Sequence, residues 1–236
     1  MTTAVYAYPE VMNGQPVAWR PLVGFQERAC EVGSFEALLG GAAGPGKTDI
    51  LIALSAKYAM HRSGKVIFFR TVYKDTLDVR DRMMALYPKL GFVWKAESNR
   101  WTSPQGGTVQ IAHAKTLGEI TDYLGPEYTA VMWDELSLVP DEVVWQMILG
   151  RIRSTDPTVP LRARASANPI GPGRSWLKQR FVDVCGPKGE VEYLKNEFPE
   201  EYWQLVSNAA INNVTKAEAI CYMPYQSELA EIRELA

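Results

Sequence analysis

Apolar residues fall in short blocks broken by polar, glycine and proline positions, and the blocks alternate between two kinds. Phe35-Glu36-Ala37-Leu38-Leu39 is short and reads as a buried strand running into Gly40-Gly41. Ile50-Leu51-Ile52-Ala53-Leu54 and Tyr58-Ala59-Met60 continue too far for a strand and predict a mostly buried helix. Lys65-Val66-Ile67-Phe68-Phe69 predicts a second strand, and Asp75 to Tyr87 a helix that Pro88 ends. Phe92-Val93-Trp94-Lys95 and Thr108-Val109-Gln110-Ile111-Ala112 predict strands on either side of Arg100-Trp101-Thr102, with Gln105-Gly106-Gly107 as a tight turn. Tyr128 to Trp133 and Leu161 to Ala167 are further strands, the latter stopped by Asn168-Pro169. Between them Asp141 to Leu149 is a helix announced by Pro140. A helix over Arg174 to Phe181 follows, and the tail predicts two more, Glu201 to Ala210 and Lys216 to Leu235. The opening to Pro21, with Pro9, Gly14 and Pro16, reads as an irregular arm.

Strands alternating with helices define an α/β fold: a mostly parallel central sheet with helices on both faces. The 236 residues suffice for one large domain with a small appendage. The expected division is a core with its N-terminal arm over 1–190 and a small helical C-terminal subdomain over 191–236.

Composition narrows the chemistry. Cys30, Cys185 and Cys221 are too scattered for a disulfide framework or a zinc pair, and two histidines, His61 and His113, make a histidine metal site improbable. No apolar run approaches a membrane span and the first residues lack a signal-peptide pattern, so a soluble protein with no membrane partner is expected. The net charge of -2 is not that of a general nucleic-acid binder, but it is uneven. Between Arg151 and Arg180 there are seven basic residues against one acid, Asp156; from Glu190 onward nine acids face three bases. The basic stretch reads either as a polyanion-facing edge or as a solvated face.

Gly41-Ala42-Ala43-Gly44-Pro45-Gly46-Lys47-Thr48 fits the phosphate-loop pattern G-x-x-x-x-G-K-[ST], which occurs by chance in about one chain in a hundred of this length. The glycines let the backbone turn its N–H groups inward as an anion nest, and the following helix adds its N-terminus, on which Asp49 also lies. Lys47 would reach the β- and γ-phosphates, and the Thr48 hydroxyl would ligate Mg²⁺. Val131-Met132-Trp133-Asp134-Glu135 supplies what hydrolysis further needs at the end of an apolar strand. Asp134 would fix the metal shell, and Glu135 would activate water as general base. Ser166-Ala167-Asn168 ends the next strong strand, either as a sensor of the γ-phosphate or as a polar exit before Pro169. Gln26, after Phe25, reads either as a contact to an adenine edge or as a surface glutamine on a first helix.

Taken together these stretches resemble the ATPase domain of the large terminase subunit of tailed bacteriophages. The resemblance spans residues 24–181, in family order. It rests on Gly40 to Thr48, Phe69-Arg70-Thr71, Tyr123-Leu124-Gly125-Pro126-Glu127-Tyr128, Met132 to Leu136, Arg151-Ile152-Arg153, Ala167-Asn168-Pro169 and Gly173-Arg174-Ser175-Trp176. It implies a P-loop NTPase that hydrolyses ATP with Mg²⁺ to move double-stranded DNA into a procapsid. Gln26 then matches the adenine-contacting glutamine, Lys47 and Thr48 the phosphate and metal contacts, and Asp134 and Glu135 the metal carboxylate and catalytic glutamate. Ser166-Ala167-Asn168 matches the motif that couples hydrolysis to movement. Implied partners are the portal protein, the small terminase subunit and further copies in a ring on the portal, with a monomer in isolation. The implied setting is the cytoplasm of an infected bacterium.

Two departures stand out. Where many relatives carry an arginine in the phosphate loop, this chain has Ala42 and Ala43. Arg100, Arg151 and Arg153 are the candidates for an arginine finger, in cis or from a neighbouring subunit. Relatives also continue into an RNase H-like nuclease domain, whereas this sequence stops at Ala236, so an ATPase fragment without nuclease activity is expected. The rival readings are a helicase or recombination ATPase, a nucleotide-bound switch without turnover, and a small-molecule kinase. The stretch leading into Asp134 and the Ser166 triplet disfavour the kinase, and Glu135 disfavours the switch.

Overall fold

The computed structural model of the chain describes residues 11–12, 15–41, 44, 46–183 and 217–221. In order, the elements begin with a two-residue antiparallel ribbon, β1 (Val11–Met12) and β2 (Gln15–Pro16), within the stretch expected to be irregular. Then come α1 (Phe25–Glu31), β3 (Glu36–Gly40), α2 (Lys47–Ala59), β4 (Lys65–Arg70), α3 (Tyr73–Leu86), β5 (Val93–Lys95), β6 (Arg100–Thr102) and β7 (Thr108–His113). The chain continues through α4 (Leu117–Thr121), β8 (Ala130–Trp133), α5 (Glu142–Leu149), β9 (Arg162–Ser166), α6 (Arg174–Leu177) and β10 (Ala217–Cys221). A π-helical turn, Lys178–Val182, extends α6.

Eight strands form one sheet in the order β10-β3-β9-β8-β4-β7-β6-β5. From β10 to β7 every pairing is parallel, and β6 alone runs against its neighbours. Alternation along the strands divides the core in two. Leu38, Ile67, Phe69, Val131, Trp133 and Ala165 face α4, α5 and α6. Leu39, Val66, Phe68, Val109, Ala130 and Met132 face α1, α2 and α3. This is the three-layer arrangement expected of strands whose two faces are both apolar. α2 is buried around most of its circumference, Ile50, Leu51, Ile52, Leu54 and Tyr58 included, because it lies between its neighbours α1 and α3 on one side of the sheet. α5 starts where Pro140 placed it, with the Asp141 carboxylate accepting from the Val143 N–H at 2.9 Å.

Three expectations change. Within the helix predicted over Lys216 to Leu235, Ala217–Cys221 is instead a strand in parallel register with Glu36–Gly40. β3 is buried along its whole length, so both of its edges need hydrogen-bond partners, and that demand outweighs the helical propensity of two alanines and a glutamate. The remainder of the expected helical subdomain, including Glu201 to Ala210 and the boundary at 190, lies outside the described residues. Arg100-Trp101-Thr102, between two predicted strands, is itself a strand.

The third change concerns the basic stretch from Arg151 to Arg180. Arg164 is fully buried and donates to four backbone carbonyls: Val32 at 2.8 Å, Ser34 at 2.9 Å, Phe35 at 3.1 Å and Ala163 at 2.8 Å. It thereby ties β9 to the end of α1. Arg180 is also buried and grips Glu36 through two bonds, at 2.7 and 2.9 Å, and Glu142 at 2.7 Å, while the Trp145 indole N–H donates to Glu36 at 2.6 Å. Arg153 pairs with Glu127 at 2.7 Å. Much of the stretch is therefore structural rather than a polyanion-facing edge.

Breaking a buried pair on one side strands the other charge. Arg180→Met is expected to cost about 3–5 kcal/mol in urea unfolding. Adding Glu36→Gln should return part of that loss; additive losses would show that the two side chains act independently.

Candidate functional site

Four neighbouring parallel strands, β3, β9, β8 and β4, deliver the site from their C-terminal ends. β3 leads into the phosphate loop, β9 into Ala167 and Asn168, β8 into Asp134 and Glu135, and β4 ends on Arg70. The carboxyl end of an open parallel sheet is where this architecture leaves a ligand crevice.

The loop's glycines adopt the backbone that their place requires. Gly41, Gly44 and Gly46 all have positive φ, at 116°, 106° and 78°. Ala42, Ala43 and Pro45 lie outside the described residues. A Cβ at Gly46 would meet Nε2 at the movable end of the Gln26 side chain, so the left-handed φ is the firmer of the two constraints there. Gln26 is buried against the loop, and its Oε1 accepts from the Leu22 N–H at 3.0 Å. It is thus a buried residue of α1 and not the surface glutamine that the sequence also allowed.

Lys47, the first residue of α2, folds back over the loop and donates to the Gly41 carbonyl at 2.8 Å and to Asn168 Oδ1 at 3.0 Å. Burial pulls its ammonium below the ordinary lysine value, and Asp134 and Glu135 pull the other way. The Thr48 hydroxyl donates to Asp134 Oδ2 at 2.9 Å. Asp134 is 1 % exposed and has two more partners, Arg70 Nη2 at 2.9 Å and the Ser166 hydroxyl. Ser166 also accepts from the Glu135 N–H at 3.0 Å. Glu135 sits in left-handed backbone, φ 61° and ψ 44°, a conformation costing about 1 kcal/mol or more in a residue with a side chain. Its half-exposed carboxylate pairs with Arg70 Nη1 at 2.9 Å.

The structure therefore brings together Gly41, Gly44, Gly46, Lys47, Thr48, Asp134, Glu135, Ser166, Asn168 and Gln26. Asp49 turns aside: its carboxylate pairs with Arg82 of α3 at 3.1 Å. Arg151 and Arg153 lie at the opposite end of the sheet, where their backbone pairs with Tyr128 ahead of β8. Arg100 is on β6, three strands along from β8, with Nη2 3.3 Å from Gln110 Oε1. None of the three meets the phosphate loop within this chain. The arginine that does reach the site, Arg70, ends β4; the sequence showed it only within the matching stretch Phe69-Arg70-Thr71, with no role attached.

The donor set suits magnesium. Thr48 and Asp134 offer hard oxygen donors side by side, and this ion commonly takes one or two protein ligands, completing its shell with water and phosphate. Among the described residues no group of three or more His, Cys, Asp or Glu is gathered to cage a metal by itself.

This sheet, loop and acidic pair define a P-loop NTPase fold. No protein-family model matches the sequence, and neither does any curated protein. Solved structures do: the chain shares its fold with the ATPase domains of large terminases from tailed phages. The Thermus phage P74-26 large terminase ATPase domain aligns with TM-score 0.56 at 14% identity, over 72% of each chain. A large terminase from another thermophilic bacteriophage aligns with TM-score 0.53 at 13% identity, over 92% of this chain and 51% of that one. The N-terminal domain of the bacteriophage phi29 DNA packaging ATPase aligns with TM-score 0.50 at 10% identity, over 85% and 96%. The chain thus spans about half the length of the second of these, the thermophilic phage's large terminase. Among the described residues no helix is long and apolar enough to cross a membrane.

Gly46→Ala is expected to abolish nucleotide binding, measured by titration with a fluorescent ATP analogue, since the methyl group meets Gln26 and the backbone is left-handed. Pairing it with Gln26→Ala removes the clash but not the backbone strain, so binding should return only in part. Full recovery would show that φ at this position is not limiting.

Proposed function

We propose that this chain is the ATPase motor domain of a viral terminase, hydrolysing ATP with Mg²⁺ to drive double-stranded DNA into a procapsid. The observation that carries the reading is the convergence, at three adjacent strand ends, of a phosphate cradle with a paired aspartate and glutamate and with the Ser166-Ala167-Asn168 triplet. The fold shared with packaging ATPases supports the setting. In it, the partners are duplex DNA, a portal protein, a small terminase subunit and further copies in a ring on the portal. The place is the cytoplasm of the infected host, and the chain alone is a monomer. No nuclease activity is expected of these residues.

The roles follow from position. Gly41 to Thr48 wrap the phosphates, with backbone N–H groups and the start of α2 opposing their charge. Lys47 leaves Gly41 and Asn168 for a phosphate oxygen, and Gln26 meets the base. Thr48 and Asp134 hold the magnesium ion, which when bound neutralises charge on the β- and γ-phosphate oxygens. Glu135 orients a water and takes its proton. The Arg70 guanidinium occupies one oxygen of that carboxylate at 2.9 Å, so a water reaches the oxygen only when the Glu135–Arg70 pair opens. Asn168, which loses Lys47 when phosphate arrives, makes the triplet responsive to occupancy. An arginine finger, if Arg100, Arg151 or Arg153 supplies it, comes from a neighbouring copy, given where they lie.

The test is steady-state ATPase activity of the chain and of Glu135→Gln, with and without duplex DNA. Loss of the general base should lower turnover by about a hundredfold or more while nucleotide still binds. Stimulation of the parent by DNA supports the motor reading. A Glu135→Gln variant as active as the parent would overturn the catalytic assignment.

A further inference from the structure

The antiparallel corner of the sheet has one packed face and one open face. Trp101, Val109 and Ile111 point into the core beside α2 and α3, and Trp94 packs against it. The intervening residues of β5, β6 and the first half of β7 point the other way and are intermediate or exposed, whereas Ala112, further along β7 on that side, is buried. Register aligns them in two rows. Lys95 lies opposite Arg100, which lies opposite Gln110; Val93 lies opposite Thr102, which lies opposite Thr108.

The first row places two cations directly across a strand pair. Like charges in that relation destabilise a sheet. Among the described residues neither Lys95 nor Arg100 is in an ion pair, and the open face of these strands carries no acid; the acid nearest in sequence, Glu97, is exposed in the turn that joins β5 to β6. The Arg100 Nε is buried without a hydrogen-bond partner. At the border of the face the Tyr128 hydroxyl, on a side chain 4 % exposed overall, has none either. Burial pushes that phenol up to about 12, with Tyr123 acting the same way, while Arg100 and Arg151 act against it, so both guanidiniums stand within electrostatic reach of one hydroxyl. Such a row, about 10 Å across three strands, is an arrangement that an external anion would complete.

We infer that this open face, centred on Lys95 and Arg100 with Gln110, Thr102 and Thr108 beside them, is a contact surface for the phosphate backbone of duplex DNA. The inference rests on the motor reading above and adds to it the surface on which DNA lies. Charge and side-chain type choose the occupant. Arginine, lysine, threonine and glutamine are the residues that bond phosphate and sugar. The face offers no aromatic ring for a base to stack on, because Trp94 and Trp101 are turned to the packed side, so a single strand has no platform here. The contact is with phosphates and is blind to sequence, as transport of any genome demands.

The test measures binding of the intact chain to fluorescent duplexes of unrelated sequence across a salt series, by anisotropy. The variants are Lys95→Gln, Arg100→Gln and their double, with Lys95→Arg as the conservative control. Each loss should lower affinity about threefold to tenfold for every sequence alike, and should flatten the dependence of log K on log salt by about 0.9. Lys95→Arg should bind as the parent does. Thermal melting separates this from damage to the fold, because relieving a like-charge pair should leave the melting temperature of Lys95→Gln unchanged or raised. If the parent binds duplex and the variants match its affinity and slope, the surface is refuted while the motor reading stands. Variants that lose affinity only for single strands refute the duplex assignment. A parent that binds no duplex even at low salt refutes the surface and the DNA part of the motor reading together.

Discussion

Asp134 is a carboxylate removed from water, and the site is organised around satisfying it. Burial of such a group is costly unless each oxygen finds a donor. Here Oδ2 takes Thr48 and Arg70, and Oδ1 takes Ser166. Those three donors come from the helix after β3, the end of β4 and the end of β9, so one side chain joins the outputs of all the strands that flank β8. The order β3-β9-β8-β4 makes this feasible, since β8 has β9 on one side and β4 on the other. A phosphate loop and an acidic strand far apart in sequence become one site because the sheet places one strand, β9, between them.

The same logic of satisfied burial explains charges that lie far from the crevice. Arg164 and Arg180 anchor the lower part of β9 and the start of β3, one through carbonyls and the other through Glu36 and Glu142. A guanidinium suits these places because its five donors spread in a plane and reach several acceptors at once. The positions that carry the site thus stand on a frame fixed by buried cations. By contrast, among the described residues Lys95 and Arg100 are in no ion pair, and Arg100 is held only by the Gln110 amide, with its Nε unpartnered. Basic residues that look alike in the sequence divide by this criterion into ones the fold consumes and ones it leaves for something else.

What the sequence discloses follows from which interactions are local. The phosphate loop was legible because glycine spacing and the following helix are local requirements, and the strands of the core because both of their faces are apolar. The acidic pair was legible as a polar stop after Val131-Met132-Trp133. Arg70 was not, because its role exists only once β4 lies beside β8, a pairing no local pattern encodes. The buried state of Arg164 was hidden for the same reason: three of its four acceptors are carbonyls more than a hundred residues away in sequence. β10 was misread because a parallel edge strand is defined by the partner it serves, and Ala217-Glu218-Ala219 alone favours a helix. Short α4 escaped periodicity altogether, though its capping box, Thr116 with Glu119, is a local signal that would have found it.

Ser166 shows how little slack the arrangement has. A serine hydroxyl has one proton to give, and here it goes to Asp134; its oxygen in turn receives the Glu135 N–H. The proton and one of the two lone pairs of a single small group thus go to two adjacent residues. Glu135 occupies left-handed backbone at a cost, and the bond to Ser166 is one of the contacts that hold it there. Two residues further on, Asn168 receives Lys47. Any ligand that drew Asp134 or Lys47 toward itself would therefore unbalance the end of β9 from two sides, and through the Ser166 hydroxyl would also release the backbone of Glu135. A contiguous set of contacts becomes a coupling when its members have two arrangements. At the end of β9, the bonds that a nucleotide or its metal would compete for are those to Lys47 and Asp134, while the Glu135 N–H and the Leu39 carbonyl hold the same segment through backbone groups.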